Sequence, residues 1–386
     1  MLYSHQQKFL NENPNKSALV WSCGTGKTRT ALEWASIYQD KKTYNSTVLI
    51  ICPKSLKANW IREGHKWGVY IEIKTKEEFR RDWQTLARYT QIITDEVHNG
   101  FLTPHFKSQM SKALRDYIKK HNVPRVLLLS ATVYTSSPWN IYNLAYLLGY
   151  KFDWQKFNFT FFNQIRMGPR IIPVPKKGCE AKLAEITKKI ASVVNIEDVL
   201  DVPLQQHCEP EYFALTKLQK KSIEEAYDPL PIVRFTAQHQ IEQKGDKMER
   251  LIALCEENPK IAIVCRYLDQ IEYLKEALSS YKPYIITGQT KDRDTVVREA
   301  ESSSKAVVLI QADCGIGFEL PSFPVCVFAS MSYSYTSWEQ MNGRFLRMNK
   351  PSRTTFLYLL TEGSSVDQGI YDAVKRKEDF KIALFK

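Results

Sequence analysis

No apolar run in this 386-residue chain reaches the eighteen or so residues that span a bilayer, so no membrane helix is expected. Its first residues, Met1 to Lys8, are polar and lack the apolar segment of a secretory signal. None of the eight cysteines (23, 52, 179, 208, 255, 265, 314 and 326) stands in a CxxC pair, and several lie inside apolar runs. They read as buried thiols in a reducing, cytoplasmic setting, with neither a zinc site nor a disulfide framework indicated. Low-complexity segments are also missing, and there is no repeat beyond two similar halves.

What is present is the composition of a chain with substantial cores. Apolar residues make up 44% and aromatics 12%, which excludes disorder, and the length suits two to three domains. The 54 Lys and Arg exceed the 42 Asp and Glu by 12. The excess is spread in pairs such as Lys41-Lys42, Lys188-Lys189 and Lys220-Lys221. Such a balance favours a phosphate-backbone partner without establishing one, since solvated helix faces are also rich in lysine.

Short β-rich runs alternate with amphipathic stretches. A first set comprises 18–22, 47–53, 91–96 and 125–131; a second comprises 261–265, 284–288, 306–312, 325–330 and 354–361. Near-continuous apolar strands alternating with helices predict parallel sheets buried on both faces, and two series predict two α/β domains. We expect domain 1 over 1–150, a mainly helical insertion and linker over 151–247, and domain 2 over 248–386 with a terminal brace helix from about Asp367. The insertion opens with an aromatic cluster, Tyr150 to Phe162, read chiefly as core. Arg166, Arg170, Lys176 and Lys177 follow in loop-like sequence as candidates for phosphate contacts.

Residues 21–28, Trp-Ser-Cys-Gly-Thr-Gly-Lys-Thr, join an apolar strand to a helix-like stretch. Glycines at 24 and 26 let backbone N–H groups close on an anion at a helix N-terminus. Lys27 would reach β/γ-phosphates and Thr28 would offer a hydroxyl to magnesium. Trp21 stands where the strict GxxxxGK[ST] pattern has its first glycine. Asp95-Glu96 end a second apolar strand, where one carboxylate can hold a metal ion while the other activates water. Arg344 and Arg347 are three apart, which on a helix gives them one face and suits the charge on a transferring phosphoryl group.

These motifs together resemble those of superfamily 2 helicases, most closely the Swi/Snf-type ATPases that translocate on duplex DNA. The resemblance covers nearly the whole chain. Trp21 to Thr28 is similar to motif I, Ile51 to Glu63 to motif Ia, Asp95 to His98 to motif II and Ser130-Ala-Thr132 to motif III. Ile261 to Cys265 resembles motif IV, Ala312 to Leu320 motif V and Gln340 to Arg347 motif VI. Departures include Val97 in motif II, Glu319 where the Swi/Snf branch carries asparagine, and Met348-Asn-Lys after motif VI.

The resemblance implies two RecA-like domains in tandem and an ATP- and Mg2+-dependent hydrolase. It gives catalytic roles to Lys27, Asp95, Glu96, Gln340, Arg344 and Arg347. Nucleotide contacts fall to Gln6, Gly24, Thr25, Gly26, Lys27, Thr28, Arg29 and Glu319, and magnesium to Thr28 and Asp95. His98, Ser130 and Thr132 would couple the nucleotide site to nucleic acid, gripped at Lys54, Ser55, Gln311 and Ala312. The implied activity is translocation on double-stranded DNA by a monomer through backbone contacts, away from membranes. A strand-separating DNA or RNA helicase is the alternative, and an inactive nucleic-acid-binding scaffold a remoter one.

Overall fold

The computed structural model describes residues 2–39, 48–103, 108–131, 138–167, 170–199, 205–226, 228–315, 317–346 and 353–377. The chain divides into two compact units, Met1–Val199 and Leu200–Lys386.

In the first unit the elements run α1 (Ser4–Glu12), β1 (Lys16–Trp21), α2 (Lys27–Ser36), β2 (Val48–Cys52), α3 (Lys57–Trp67), β3 (Ile71–Thr75), α4 (Lys76–Asp82), β4 (Gln91–Thr94), α5 (Gln109–His121), β5 (Arg125–Ser130), α6 (Trp139–Leu147), α7 (Trp154–Phe161), β6 (Phe162–Met167), β7 (Arg170–Pro175), α8 (Glu180–Ile190) and β8 (Ser192–Val194). Six strands form one sheet in the order β3-β2-β4-β5-β1-β8, with every pairing parallel. Alternate residues of its strands feed two cores. Ala18, Leu49, Ile51, Ile92, Val126 and Leu128 pack on one face, and Leu19, Val48, Ile50, Ile93, Leu127 and Leu129 on the other. That two-sided burial explains the near-continuous apolar runs. β6 and β7 stand apart as an antiparallel two-stranded ribbon.

The second unit runs β9 (Gln205–His207), β10 (Glu211–Phe213), α9 (Lys217–Glu225), α10 (Pro231–Glu242), α11 (Asp246–Glu257), β11 (Lys260–Cys265), α12 (Leu268–Ala277), β12 (Tyr284–Ile286), α13 (Arg293–Ser302), β13 (Ala306–Gln311), β14 (Val325–Phe328), α14 (Tyr335–Asn342), β15 (Thr354–Thr361) and α15 (Ser365–Lys375). Its seven strands order as β10-β15-β14-β11-β13-β12, with β9 pairing beside β10 on the outer edge of β15. All these pairings are parallel too.

The stretch expected as one helical insertion is divided between the units. β8 extends the first sheet next to β1, while β9 and β10 extend the second next to β15. Strands of three residues carry too little pattern to register in sequence, and the neighbouring strand supplies their hydrogen bonds. The aromatic cluster is core only in part, with Phe157, Phe161 and Phe162 buried but Tyr150, Trp154 and, at 80%, Phe159 exposed. Arg166 and Arg170 lie on the β6–β7 ribbon, not in a loop. Prolines at 173 and 175 disguised it, and a two-stranded ribbon tolerates them because both strands are edges. The terminal helix ends at Lys375, and residues 378–386 lie outside the described residues.

Candidate nucleotide-binding site

β1 and β4 flank β5, so the turn after β1 and the acidic pair after β4 leave the same carboxyl end of one sheet. Ligands bind at this end in parallel α/β sheets. The turn 22–26 is left-handed at Gly24 (φ +81°) and Gly26 (φ +84°), which only glycine adopts without strain. A Cβ on Gly26 would stand 2.4 Å from Gln6 Nε2, because α1 packs directly over the turn. Gln6 Nε2 donates to Gly26 O at 3.2 Å and its Oε1 accepts from Tyr3 N at 2.9 Å. The glutamine therefore braces the loop, and each amide atom retains hydrogen-bonding capacity for a base edge. His5 Nε2 meets Thr25 O at 2.9 Å, and the buried Thr25 donates its hydroxyl to Ser22 O at 2.7 Å. Lys27 Nζ reaches into the loop, donating to Trp21 O at 2.7 Å and Ser22 O at 3.2 Å. Thr28 sits on the first turn of α2. Arg29 is committed elsewhere: its guanidinium lies 3.1 Å over the Trp67 ring and pairs with Glu33.

β4 stops at Thr94, two residues short of the expected run, so Asp95 and Glu96 project beyond the strand. Asp95 Oδ2 accepts from Trp60 Nε1 at 2.9 Å and Oδ1 from Glu96 N at 2.9 Å. Burial, helped by the Glu96 charge, pushes Asp95 up to about 6. Glu96 holds φ +49°, a left-handed conformation that strains any residue with a Cβ. Two donors to its own carbonyl oxygen stabilise it there, the first being Asn99 N at 3.0 Å. Lys76 Nζ, 4% exposed in residue terms, donates to Glu96 O at 2.8 Å and to Asn99 O at 2.9 Å. Burial lowers the Lys76 ammonium to about 8 against the opposing pull of Glu96 and Asp95. Glu96 Oε2 is buried without a hydrogen-bond partner among the described residues.

His98 Nδ1 stands 2.8 Å from Ser130 Oγ at the end of β5 and 3.3 Å from Glu96 Oε2. Burial first, then Lys76 and Lys27, push its ring down to about 4. At neutral pH the contact with Glu96 is therefore not an ion pair. The histidine links the end of β5 to the acidic pair; Thr132 lies outside the described residues. Lys54 and Ser55, in the 3-10 turn before α3, are exposed. Trp60 lies in the stretch that resembles motif Ia, but neither its bond to Asp95 nor the part played by Lys76 shows in the sequence. Thr75-Lys-Glu-Glu78 carries a capping-box signature, confirmed by Glu78 N on Thr75 Oγ1 at 3.2 Å, and would have revealed α4.

In the second unit the 3-10 turn after β13 lies tight against α14, since a Cβ on Gly315 would meet Met341 N at 3.2 Å. Gln311 Oε1 accepts from Gly288 N at 3.2 Å, while Ala312 is 3% exposed and can offer little beyond backbone. Asp313 is held by Arg266 and by Ser332 Oγ at 2.6 Å. Arg344 is buried, donating Nε to Gln340 O at 2.9 Å and Nη1 to Phe318 O at 3.4 Å. Glu319 is exposed.

Arg344 lies beyond the helix expected to carry it and Arg347 on one face. α14 ends at Asn342, because Phe345 and Leu346 turn into the core and Phe345 packs edge-on against Phe356. Arg347 lies outside the described residues. Tyr333, Tyr335 and Trp338 pack against this same core.

Residues 244–349 match the family model of the helicase conserved C-terminal domain. That segment of the second unit is similar to helicase C-terminal domains. The matched segment contains Gln311, Ala312, Glu319, Gln340, Arg344 and Arg347, every residue nominated in that half. Among solved structures, the Sulfolobus solfataricus SWI2/SNF2 ATPase core in complex with dsDNA is similar to this chain. The identity is 17% and the TM-score 0.44, covering 100% of this chain and 92% of that one. No curated protein matches the sequence. No helix among the described residues is long and apolar enough to cross a membrane.

Proposed function

We propose that this protein is a nucleic-acid-dependent ATPase that converts hydrolysis into translocation along duplex DNA. One observation carries the reading most. A glycine turn with Lys27 inside it and an acidic pair whose buried Glu96 Oε2 has no hydrogen-bond partner among the described residues occupy one end of the same parallel sheet. The helicase C-terminal match in the other half supports it.

In this reading the turn 22–26 and Lys27 take the β- and γ-phosphates, Lys27 exchanging its loop carbonyls for phosphate oxygens. Gln6 and α1 hold the loop shut behind the nucleotide. Glu96 accepts the proton of the attacking water through Oε2, which has no donor of its own to satisfy. Neutral His98 relays the state of that carboxylate to the end of β5. Arg344 and Arg347 carry the kind of guanidinium charge that suits a transferring phosphoryl group.

Thr28 and Asp95 are hard oxygen donors suited to magnesium, which when bound would neutralise phosphate charge. Among the described residues no cluster of three or more His, Cys, Asp or Glu could cage a metal. Two protein oxygens completed by phosphates and water are the usual way magnesium is held beside a nucleotide.

Lys54 and Ser55 of the first unit and the backbone around Gln311 and Ala312 of the second would grip phosphates, giving little sequence preference. The test is ATP turnover titrated with duplex DNA, single-stranded DNA and RNA at matched salt. Stimulation greatest with duplex, with triplex displacement and no opening of a forked duplex, is expected. Turnover indifferent to all three polymers would refute the motor.

A further inference from the structure

We infer that the β6–β7 ribbon with α7 is a nucleic-acid-binding arm, a contact surface separate from the motifs assigned above. The inference rests on three observations. First, the ribbon lacks the layers that stabilise a sheet. Its two strands pair only with each other, Phe162 opposite Pro175 and Met167 opposite Arg170. Asn163, Gln164, Ile165 and Arg166 are consecutive and all exposed, so both faces of β6 meet solvent. A two-stranded ribbon exposed on both faces along residues 163–166 is marginal on its own, and a surface that persists in that form is suited to binding.

Second, its charge has one sign. From Trp154 to Cys179 the chain carries Lys156, Arg166, Arg170, Lys176 and Lys177 and no acidic residue. This polarity exceeds that of the whole chain, where 42 acids accompany 54 bases. Complementarity therefore specifies a polyanion. Third, an aromatic ring stands among the cations. Phe159 is 80% exposed, and Lys176 Nζ lies 5.1 Å over its ring while donating to Phe159 O at 2.7 Å. Cations beside an exposed flat ring fit the phosphate and base surfaces of a polynucleotide better than an acidic peptide. The ribbon's Ile165 and Val174, 45% and 38% exposed, share the face opposite Arg166 and add apolar contact to sugar.

The arm deepens the motor reading by adding a second grip on the polymer, but it can stand if that reading falls. The experiment compares the intact protein with an Arg166→Gln/Lys177→Gln variant, neither residue belonging to the hydrolytic machinery. Binding to a labelled 40-base-pair duplex is followed between 50 and 200 mM salt, about as wide a range as such titrations use. Two lost phosphate contacts should lower the slope of log K against log salt by about 1.8 and weaken binding roughly tenfold at the low-salt end.

ATP turnover without nucleic acid should be unchanged, and Arg166→Lys/Lys177→Arg should restore the wild-type slope, which separates charge from misfolding. An unchanged slope and affinity would overturn the arm, as would a variant that alters only self-association in sedimentation. Wild-type protein that binds duplex through the arm with no stimulation of turnover would instead count against the motor and leave the arm standing.

Discussion

Each unit buries a cluster of charged groups, and the two clusters are built on opposite terms. In the second unit Asp367 is saturated. Its Oδ2 accepts from Lys247 Nζ at 2.5 Å and from Thr361 N at 2.8 Å, and its Oδ1 meets His239 Nε2 at 2.8 Å. Burial raises that carboxyl, but Lys247 and His239 outweigh it and hold Asp367 well below the carboxylate range. In the first unit Asp95 is driven up to about 6, Glu96 is strained at φ +49°, and one Glu96 oxygen has no donor. The cluster of the first unit leaves acceptor capacity unused; that of the second holds α10, α11, β15 and α15 together.

Substitutions should separate these roles. Glu96→Gln should lower kcat by about a hundredfold or more. Its thermal midpoint should hold or rise, because a buried carboxylate short of a donor has been neutralised. Asp367→Asn should do the reverse, costing about 3–5 kcal/mol in urea unfolding because Lys247 is left buried without its counter-ion. Asp367 also fixes a sign. Its stabilisation is complete above its unfolded value of 3.8 and is lost as pH falls below that. The acid-side loss should therefore shrink in the asparagine variant. A stable, active Asp367→Asn protein would erase the contrast.

Lys76→Met should reduce kcat by about tenfold while the nucleotide KM changes little, since one charge-assisted support of the Glu96 backbone is removed. With the ammonium at about 8 instead of 10.5, wild-type turnover should decline above about pH 8. Over that same interval the contribution of Lys76 to stability rises, because the unfolded chain binds the extra proton. Activity and stability should thus diverge with pH in the wild type, and this basic limb should vanish in Lys76→Met. If the variant keeps the limb, Lys76 does not position Glu96. The smallest effect is expected at the loop. Gly26→Ala should cost about 1–2 kcal/mol from its left-handed φ and weaken nucleotide binding by displacing Gln6. Equilibrium binding of a fluorescent ATP analogue beside a thermal melt would detect both.

Most strands of both sheets were legible because burial on two faces leaves an unbroken apolar run. Strands β3, β8, β9 and β10 were not. The last three are three residues long at sheet edges, and β3, Ile-Glu-Ile-Lys-Thr, alternates like a half-exposed strand. The site was legible in residue type but not in arrangement. Gly24, Gly26, Lys27, Asp95 and Glu96 stood out by spacing, whereas nothing along the chain ties Trp60 or Lys76 to the acidic pair, which they meet by contact across the fold.

Local chemistry is encoded along the chain. A left-handed turn needs glycine, a two-sided strand needs consecutive apolar residues, and an exposed arm can afford a run of one charge. The sequence alone therefore determined two parallel-sheet halves, the position of a glycine turn at the carboxyl end of β1 and the excess of positive charge. Only the tertiary structure decided that helix α14 stops before Arg344, that proline-rich residues 162–175 pair as a ribbon, and that Lys76 secures a strained Glu96. Those outcomes depend on which distant side chains share a volume, and packing of that kind has no period to read.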